Sequence, residues 1–312
     1  MTGVHQDLVI GVDAGGTKTT AWIGEAGGGS TGPPVGMGHA GAANPGDVGF
    51  EGSFREISAA IREALVDAGV AILPVDVLCL CVAGAGRPND QQRLRQWALS
   101  HRIARTVTVT GDAEPILAAA SPDNVGIVLI SGTGSLAWAR TPDGRAGRVG
   151  GWGRVFGDDG SGYSIATAGL RAAARAADGR GEQTQLLNAM MEQLGASTPF
   201  ELIEWTYTAA GSPERIAACA KVVFETAQND LVAQMILDQA STDLAEMVTI
   251  LSQKLNLQLT ASVLALAGGT LMNQAGFRSD VISRIGVSPD CTVEVPCPAA
   301  GALLLARQVA NQ

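Results

Sequence analysis

Leu8-Val9-Ile10-Gly11-Val12-Asp13-Ala14-Gly15-Gly16-Thr17-Lys18-Thr19-Thr20-Ala21-Trp22 is a run of apolar β-formers that stops at a glycine-threonine turn and resumes as a second apolar run. It is echoed by Ile127-Val128-Leu129-Ile130-Ser131-Gly132-Thr133-Gly134-Ser135-Leu136-Ala137-Trp138. Each stretch predicts a β-hairpin whose turn has exchanged bulky side chains for glycines and hydroxyls, so that backbone N–H groups and Thr/Ser oxygens can close on an anion. A lone Gly-Gly-Thr is read more simply as a tight hairpin that needs positive φ. The repetition, at the same place relative to its strands, favours phosphate. Two related domains gripping one polyphosphate are therefore expected.

Composition sets the outer limits. A chain of 312 residues exceeds the usual size of one core, and 46% hydrophobic with 16% charged residues describes an ordinary globular protein. The net charge of −9 and the lack of Lys/Arg clusters argue against a nucleic-acid partner, because binding a phosphate backbone needs a basic face. An acidic protein that binds a nucleotide must use backbone amides, hydroxyls and a divalent cation. The five cysteines are Cys79, Cys81, Cys219, Cys291 and Cys297, an odd number with no CxxC and no Cys/His cluster, which argues against zinc and iron–sulfur sites. Cys79 and Cys81 alternate in an apolar run and read as core packing on one strand face. The amino terminus has no basic flank or signal-type apolar core, and no stretch is apolar for long enough to span a bilayer. The expected home is a reducing cytoplasm, with no membrane partner.

Outward from the first hairpin, a Gly/Ser/Thr/Pro-rich loop is expected over residues 24–34, a helix over 48–69, a strand over 75–83, a helix over 90–100 and a strand over 106–110. Strands alternating with helices predict a mostly parallel or mixed sheet covered by helices. After the second hairpin, residues 147–162 hold seven glycines and are expected to be loop rather than core. Residues 161–258 read as nearly all helical, with ends marked by Gly179, Gly181, Gly195, Gly211 and Pro213 and one long helical period from Pro213 through Leu251. That long piece is expected to pack on the second domain or to support a dimer. A strand over 261–267 runs into a third glycine turn, Gly268-Gly269-Thr270, followed by a strand over 291–295 and a final helix over 298–308.

Asp13 ends the first strand directly before the first turn. A carboxylate there touches phosphate only across a cation, so its expected role is to hold Mg²⁺ through water; the plainer reading is a turn-starting Asp bonded to its own backbone. Lys18 either contacts phosphate or points to solvent. Asp112, in Gly111-Asp112-Ala113-Glu114-Pro115, ends a strand and opens a helix, and is the candidate general base. It also reads as a helix N-cap, and the two roles are compatible. Trp152, Asp158 and Asp159 lie in the glycine segment, where an aromatic face and acceptor carboxylates suit a sugar, or where the chain simply forms an Ω-loop with a capping aspartate. None of His5, His39 and His101 neighbours a nucleophile motif, and no GxSxG, GxxxxGK[ST] or dinucleotide-binding pattern is present.

The residues Asp13-Ala14-Gly15-Gly16-Thr17-Lys18-Thr19, Gly111-Asp112-Ala113, Ile130-Ser131-Gly132-Thr133-Gly134-Ser135, Gly150-Gly151-Trp152-Gly153, Gly157-Asp158-Asp159-Gly160-Ser161 and Ala267-Gly268-Gly269 occur in an order that resembles N-acetylglucosamine kinases and their bacterial relatives. The wider grouping is the BadF/BadG/BcrA/BcrD ATPase family of the actin and sugar kinase superfamily. The resemblance spans essentially the whole chain. It implies an α/β fold of two ribonuclease H-like, actin-like ATPase domains with a nucleotide cleft between them: residues 1–116 with a C-terminal helix at about 298–312, and residues 117–297.

By the same resemblance, Gly15, Gly16 and Thr17 with Lys18 would bind phosphate, Gly132, Thr133 and Gly134 would form the second phosphate contact, and Gly268, Gly269 and Asn273 would lie at the adenosine. Asn44, Gly151, Trp152, Gly153 and Asp158 would contact the sugar, and Asp112 matches the catalytic base. The implied enzyme moves the γ-phosphoryl group of ATP, with Mg²⁺, to the 6-hydroxyl of N-acetylglucosamine or glucosamine, with domain closure excluding water and a homodimer as the working form. Asp159 stands where many relatives carry Glu, and Arg154 where the vertebrate enzymes have His. The zinc-placing cysteines of another sugar kinase branch, and the cluster-binding cysteines of dehydratase activators, are missing. Two rival readings are an ATPase switch that drives a partner enzyme and a non-catalytic sugar sensor.

Overall fold

The structure, a computed structural model, describes residues 7–29, 32–70, 73–209 and 212–312. The expectations for the amino-terminal stretch with His5, for Ser30 and Thr31 of the first loop, and for Gly211 as a helix end lie outside the described residues. The chain divides into two compact units, one running to Asn124 and resuming over Cys297–Gln312, the other Val125–Pro296.

In the first unit the opening stretch forms β1 (Leu8–Ala14) and β2 (Thr19–Glu25), an antiparallel hairpin as its alternation predicts. β3 (Gly36–Ala40) extends it, and after α1 (Pro45–Asp67) the chain adds β4 (Val75–Val82), α2 (Pro88–Ser100), β5 (Ala104–Thr110) and α3 (Ala113–Ala120). The sheet order is β3-β2-β1-β4-β5, with β1, β4 and β5 parallel. Its β-branched and leucine side chains are buried on both faces, as parallel strands require. Ile10, Val12, Leu78 and Leu80 pack on Ile57 and Ile61 of α1 and Leu94 of α2. On the opposite face the C-terminal helix (Ala299–Ala310) sets Ala302, Leu303 and Ala306 against Val9, Val77, Cys79 and Cys81. This helix approaches so closely that a Cβ at Gly11 would lie 2.1 Å from the Leu303 nitrogen.

The strand β3 falls where the sequence carried no expectation, since its glycines argue against a strand. A Cβ at Gly38 would sit 2.1 Å from the Ala60 carbonyl oxygen, so packing against α1 selects glycine here over β-propensity.

The second unit repeats the plan. β6 (Gly126–Ser131) and β7 (Ser135–Arg140) form the second hairpin, β8 (Ala146–Gly150) lies beside β7, and β9 (Leu264–Ala267) and β10 (Thr292–Glu294) run parallel to β6. Read from β8, the order β8-β7-β6-β9-β10 has the connectivity of the first sheet. β8 occupies the start of the segment expected to be loop, and it too was hidden by glycine.

Between β8 and β9 lie α4 (Gly162–Ala177), α5 (Leu186–Leu194), α6 (Glu201–Ala209), α7 (Pro213–Ala218), α8 (Ala220–Thr226) and α9 (Leu231–Leu255), with α10 (Gly269–Asn273) and α11 (Ala275–Ile285) after β9. The helical period from Pro213 is thus three helices rather than one. The breaks fall at Cys219 and at Asp230, whose carboxylate caps α9 by accepting from the Ala233 amide at 2.9 Å and ties it to the Gln185 amide at 2.7 Å. Leu244, Val248 and Leu251 of α9 complete the core over Leu129 and Ala137. Among the described residues no helix is long and apolar enough to cross a membrane.

Candidate active site

The register β1–β4–β5 aligns Asp13 with Cys81 and Cys81 with Thr110. Asp112 follows two residues after Thr110, so both carboxylates stand at the carboxyl ends of parallel strands, where α/β sheets bind ligands. Asp112 occupies the N-cap position of α3 but in helical conformation, and its side chain makes no capping hydrogen bond to the helix. The carboxylate is therefore not engaged in starting α3. Asp13 is half-buried, and its pKa is pushed from 3.8 up to about 7, first by burial and then by the negative charge of Asp112, with Lys18 opposing the rise. A pair of acids held this way attracts either a proton or a cation.

The first turn is closed by the Gly15 amide donating to the Lys18 carbonyl at 2.9 Å, with Thr17 and Lys18 exposed. The Gly15 carbonyl accepts from the Ala43 amide at 3.0 Å, which brings the loop before α1 against the turn. Asn44 in that loop starts α1: its Oδ1 accepts from the Gly46 amide at 2.9 Å and its Nδ2 donates to Asp47 Oδ2 at 2.8 Å. Gly84, just past β4 at φ +76, lets the backbone pass; a Cβ there would be 2.2 Å from Asn44 Oδ1. The same Asp47 carboxylate lies 3.9 Å from where a Cβ of Gly16 would be. Sequence reasoning missed Asp47, although Asn-Pro-Gly-Asp at a helix start is a recognisable capping signal.

In the second unit the turn closes by the Gly132 amide donating to the Gly134 carbonyl at 2.9 Å. The Gly132 carbonyl accepts from the Gly162 amide at 2.8 Å and from the Thr270 hydroxyl at 3.1 Å, joining the turn to the start of α4 and to the third glycine turn. Gly268 sits at φ +94, where a Cβ would be 2.4 Å from the Ser131 carbonyl. Gly269 follows, with Asn273 Nδ2 3.7 Å from the position of its absent Cβ. Thr270 was not singled out from the sequence.

Asp158, at φ +59, turns its carboxylate onto the second turn: Oδ1 accepts from the Ser135 amide at 3.4 Å, and Oδ2 lies 3.0 Å from where a Gly134 Cβ would be. The Ser135 hydroxyl donates to the Asp159 carbonyl at 2.7 Å and the Ser131 hydroxyl to the Gly160 carbonyl at 2.8 Å, so the glycine segment is bonded to the turn along its length. Trp152 is 62% and Phe156 75% exposed, their ring centroids 6.2 Å apart. Arg148 holds its guanidinium 5.2 Å over the Trp152 ring and donates to the Gly151 carbonyl at 2.8 Å. An indole left open beside Gly153, at φ +82, presents a flat apolar face next to backbone donors.

Among the described residues no three His, Cys, Asp or Glu side chains converge as a protein-only metal cage. Asp13, with the charge of Asp112 beside it, would instead suit a hard cation such as Mg²⁺ held through water.

The profile of the BadF/BadG/BcrA/BcrD ATPase family matches residues 10–306. An N-acetylmuramic acid/N-acetylglucosamine kinase of Clostridium acetobutylicum is 33% identical over 220 residues, 70% of this chain and 72% of that one. An N-acetyl-D-glucosamine kinase of Dictyostelium discoideum is 26% identical over 97% of this chain and 98% of its own. A solved structure from Chromobacterium violaceum, described as a candidate N-acetylglucosamine kinase, superposes with a TM-score of 0.77 at 26% identity, covering 96% of this chain and 99% of that one.

Proposed function

The chain belongs to the BadF/BadG/BcrA/BcrD ATPase family, and on that premise we propose that it is an ATP-dependent amino-sugar kinase. It transfers the γ-phosphoryl group to the 6-hydroxyl of N-acetylglucosamine or glucosamine. The observation that carries this reading is the pair Asp13 and Asp112 at the ends of β1 and β5, with Asp13 raised to about 7 by burial and by its neighbour's charge. Two acids in one site, one of them raised by burial and by the other's charge, divide the labour of cation holding and proton transfer. The kinase names carried by the relatives support the substrate class.

In this reading Asp112 accepts the proton of the attacking hydroxyl, and Asp13 holds Mg²⁺ through water. The cation, when bound, neutralises phosphate charge. The amides of Gly15, Gly16 and Thr17 with Lys18, and those of Gly132, Thr133 and Gly134, take the phosphates; Gly268, Gly269 and Asn273 lie at the adenosine. Asn44, Gly151, Trp152, Gly153 and Asp158 receive the sugar, with the exposed indole of Trp152 covering one ring face. The five cysteines are free thiols, which fits work in the reducing cytoplasm. A homodimer is part of the same proposal.

The test is coupled ADP release with MgATP and N-acetylglucosamine, glucosamine or glucose, for the parent and for Asp112→Ala. Sugar-dependent turnover should fall by a factor on the order of 10² or more in the variant with little change in sugar KM. ADP release that ignores sugar and is unchanged by Asp112→Ala would overturn the proposal.

A further inference from the structure

A groove in the second unit has no part in the roles above. It lies between α4 and α9, encloses about 780 Å³, and exists because Ala168 and Ala172 on α4 stop short of the facing helix. The helices run antiparallel. The cap of α9, Asp230, bonds Thr184 and Gln185 beyond the end of α4, while Ala240 of α9 meets Gly160 just before its start. From Ser164 to Arg175 the floor is about 16 Å long at 1.5 Å per helical residue.

The lining is polarised along that length. Val232, Met235 and Ile236 form an apolar wall, and Met235 is 71% exposed. At the α4 carboxyl end stand Arg171, Arg175 and Arg180; Arg180 is paired with Asp178 at 2.6 Å, which leaves Arg171 and Arg175 with Glu182 as the carboxylate of the lining there. Arg175 is held in place by donating to the Arg180 carbonyl at 3.0 Å. In a chain of net charge −9, a trough with an apolar middle, Gln239 and Asp243 on its α9 side and the two guanidinium groups of Arg171 and Arg175 at the α4 carboxyl end selects an anion with an apolar body, its head group at the arginine end.

The groove also touches the second phosphate turn. Its inner end is Gly160, where a Cβ would lie 2.5 Å from Leu244 Cγ, so this backbone is packed directly against α9. The Gly160 carbonyl holds the Ser131 hydroxyl at 2.8 Å, and the Gly162 amide holds the Gly132 carbonyl at 2.8 Å. The groove floor and the second turn thus share one hydrogen-bonded segment, the physical route by which occupancy of the groove would reach the turn.

We propose that the α4–α9 groove is an effector site for a soluble acyl carboxylate, its head group at Arg171 and Arg175 and its chain along Ala168, Ala172, Val232 and Ile236. Binding weakens ATP at the second turn, a consequence that rests on the kinase reading, whereas the binding itself does not.

The test is titration calorimetry of the full chain with decanoate below its micelle threshold, without ATP or sugar. Saturable binding is expected in the parent, about tenfold weaker in Arg171→Glu and lost in Ala168→Phe/Ala172→Phe, with acetate inert. Thermal unfolding checks that the filled variant is folded, and Arg171→Glu carries the test alone if it is not. In the ADP assay decanoate should raise the ATP KM at least about threefold in the parent and not in the filled variant. Unsaturable binding, or equal binding in the parent and Arg171→Glu, overturns the site. A filled variant that turns from dimer to monomer in a parent that binds no decanoate assigns the groove to a second copy and also overturns it. Failure of the kinase reading would leave the calorimetry intact, so the two are distinguishable.

Discussion

Replacing Asp13 by asparagine should make the protein more stable, and increasingly so as pH rises. In the unfolded chain this carboxyl titrates near 3.8; in the fold, burial and the charge of Asp112 move it to about 7. A proton is thus bound more tightly by the folded chain, and ionising Asp13 inside the protein costs free energy. That cost is absent below the unfolded value, grows between the two, and is constant above pH 7. About three pKa units correspond to at most about 4 kcal/mol, of which about 2 kcal/mol accrues between about pH 5.5 and about pH 8.5.

Partial access to water and coupling to Asp112 reduce this, so the expected change is about 1–2 kcal/mol. The assay is urea unfolding of the parent and Asp13→Asn at both pH values, taking the difference of differences. Packing changes from the amide are the same at each pH and cancel. A stability gap that stays constant, or that narrows as pH rises, would refute the assignment of a raised pKa to Asp13.

The same titration governs the cation: the Mg²⁺ concentration for half-maximal ADP release should rise several-fold from about pH 8 to about pH 6, and flatten in Asp13→Asn. Asn44→Ala removes both hydrogen bonds at the start of α1 and should cost about 1 kcal/mol in thermal or urea unfolding. It should also raise the sugar KM more than it lowers kcat, and an unchanged KM would restrict Asn44 to capping. Gly268→Ala forces a side chain into φ +94 and onto the Ser131 carbonyl, so ATP should no longer protect the protein against thermal unfolding. Retained nucleotide protection in that variant would remove the third glycine turn from the adenosine site.

What could be read from the chain beforehand follows the physics of each element. The hairpins β1–β2 and β6–β7 were legible because their apolar runs and glycine turns act locally, with no information needed from elsewhere in the fold. The third strand of each sheet was not. β3 contains Gly36 and Gly38, whose Cβ positions fall 2.4 Å and 2.1 Å from backbone carbonyls of α1, and β8 contains Gly147 and Gly150 under Leu255 and Met247. Glycine there reports a helix packed on the strand, a long-range fact that local propensity misreads as loop.

The site divides the same way. Asp13 and Asp112 could be singled out because strand ends and helix starts are local signals, but the burial that raises Asp13 and the added charge of Asp112 need the packed fold and the parallel register through Cys81. Asp158 shows the other limit: read either as a sugar acceptor or as a capping aspartate, its carboxylate is found on the amide of Ser135, while Ser161 caps α4. A carboxylate already bonded to the second glycine turn couples the glycine segment to that turn, which in the proposed reading links the sugar contacts to the phosphate contacts. Asp158→Asn, which keeps an acceptor at Oδ1 and removes the charge beside the phosphates, should therefore leave folding intact while changing the KM values of both substrates together. A change confined to the sugar would detach Asp158 from the turn.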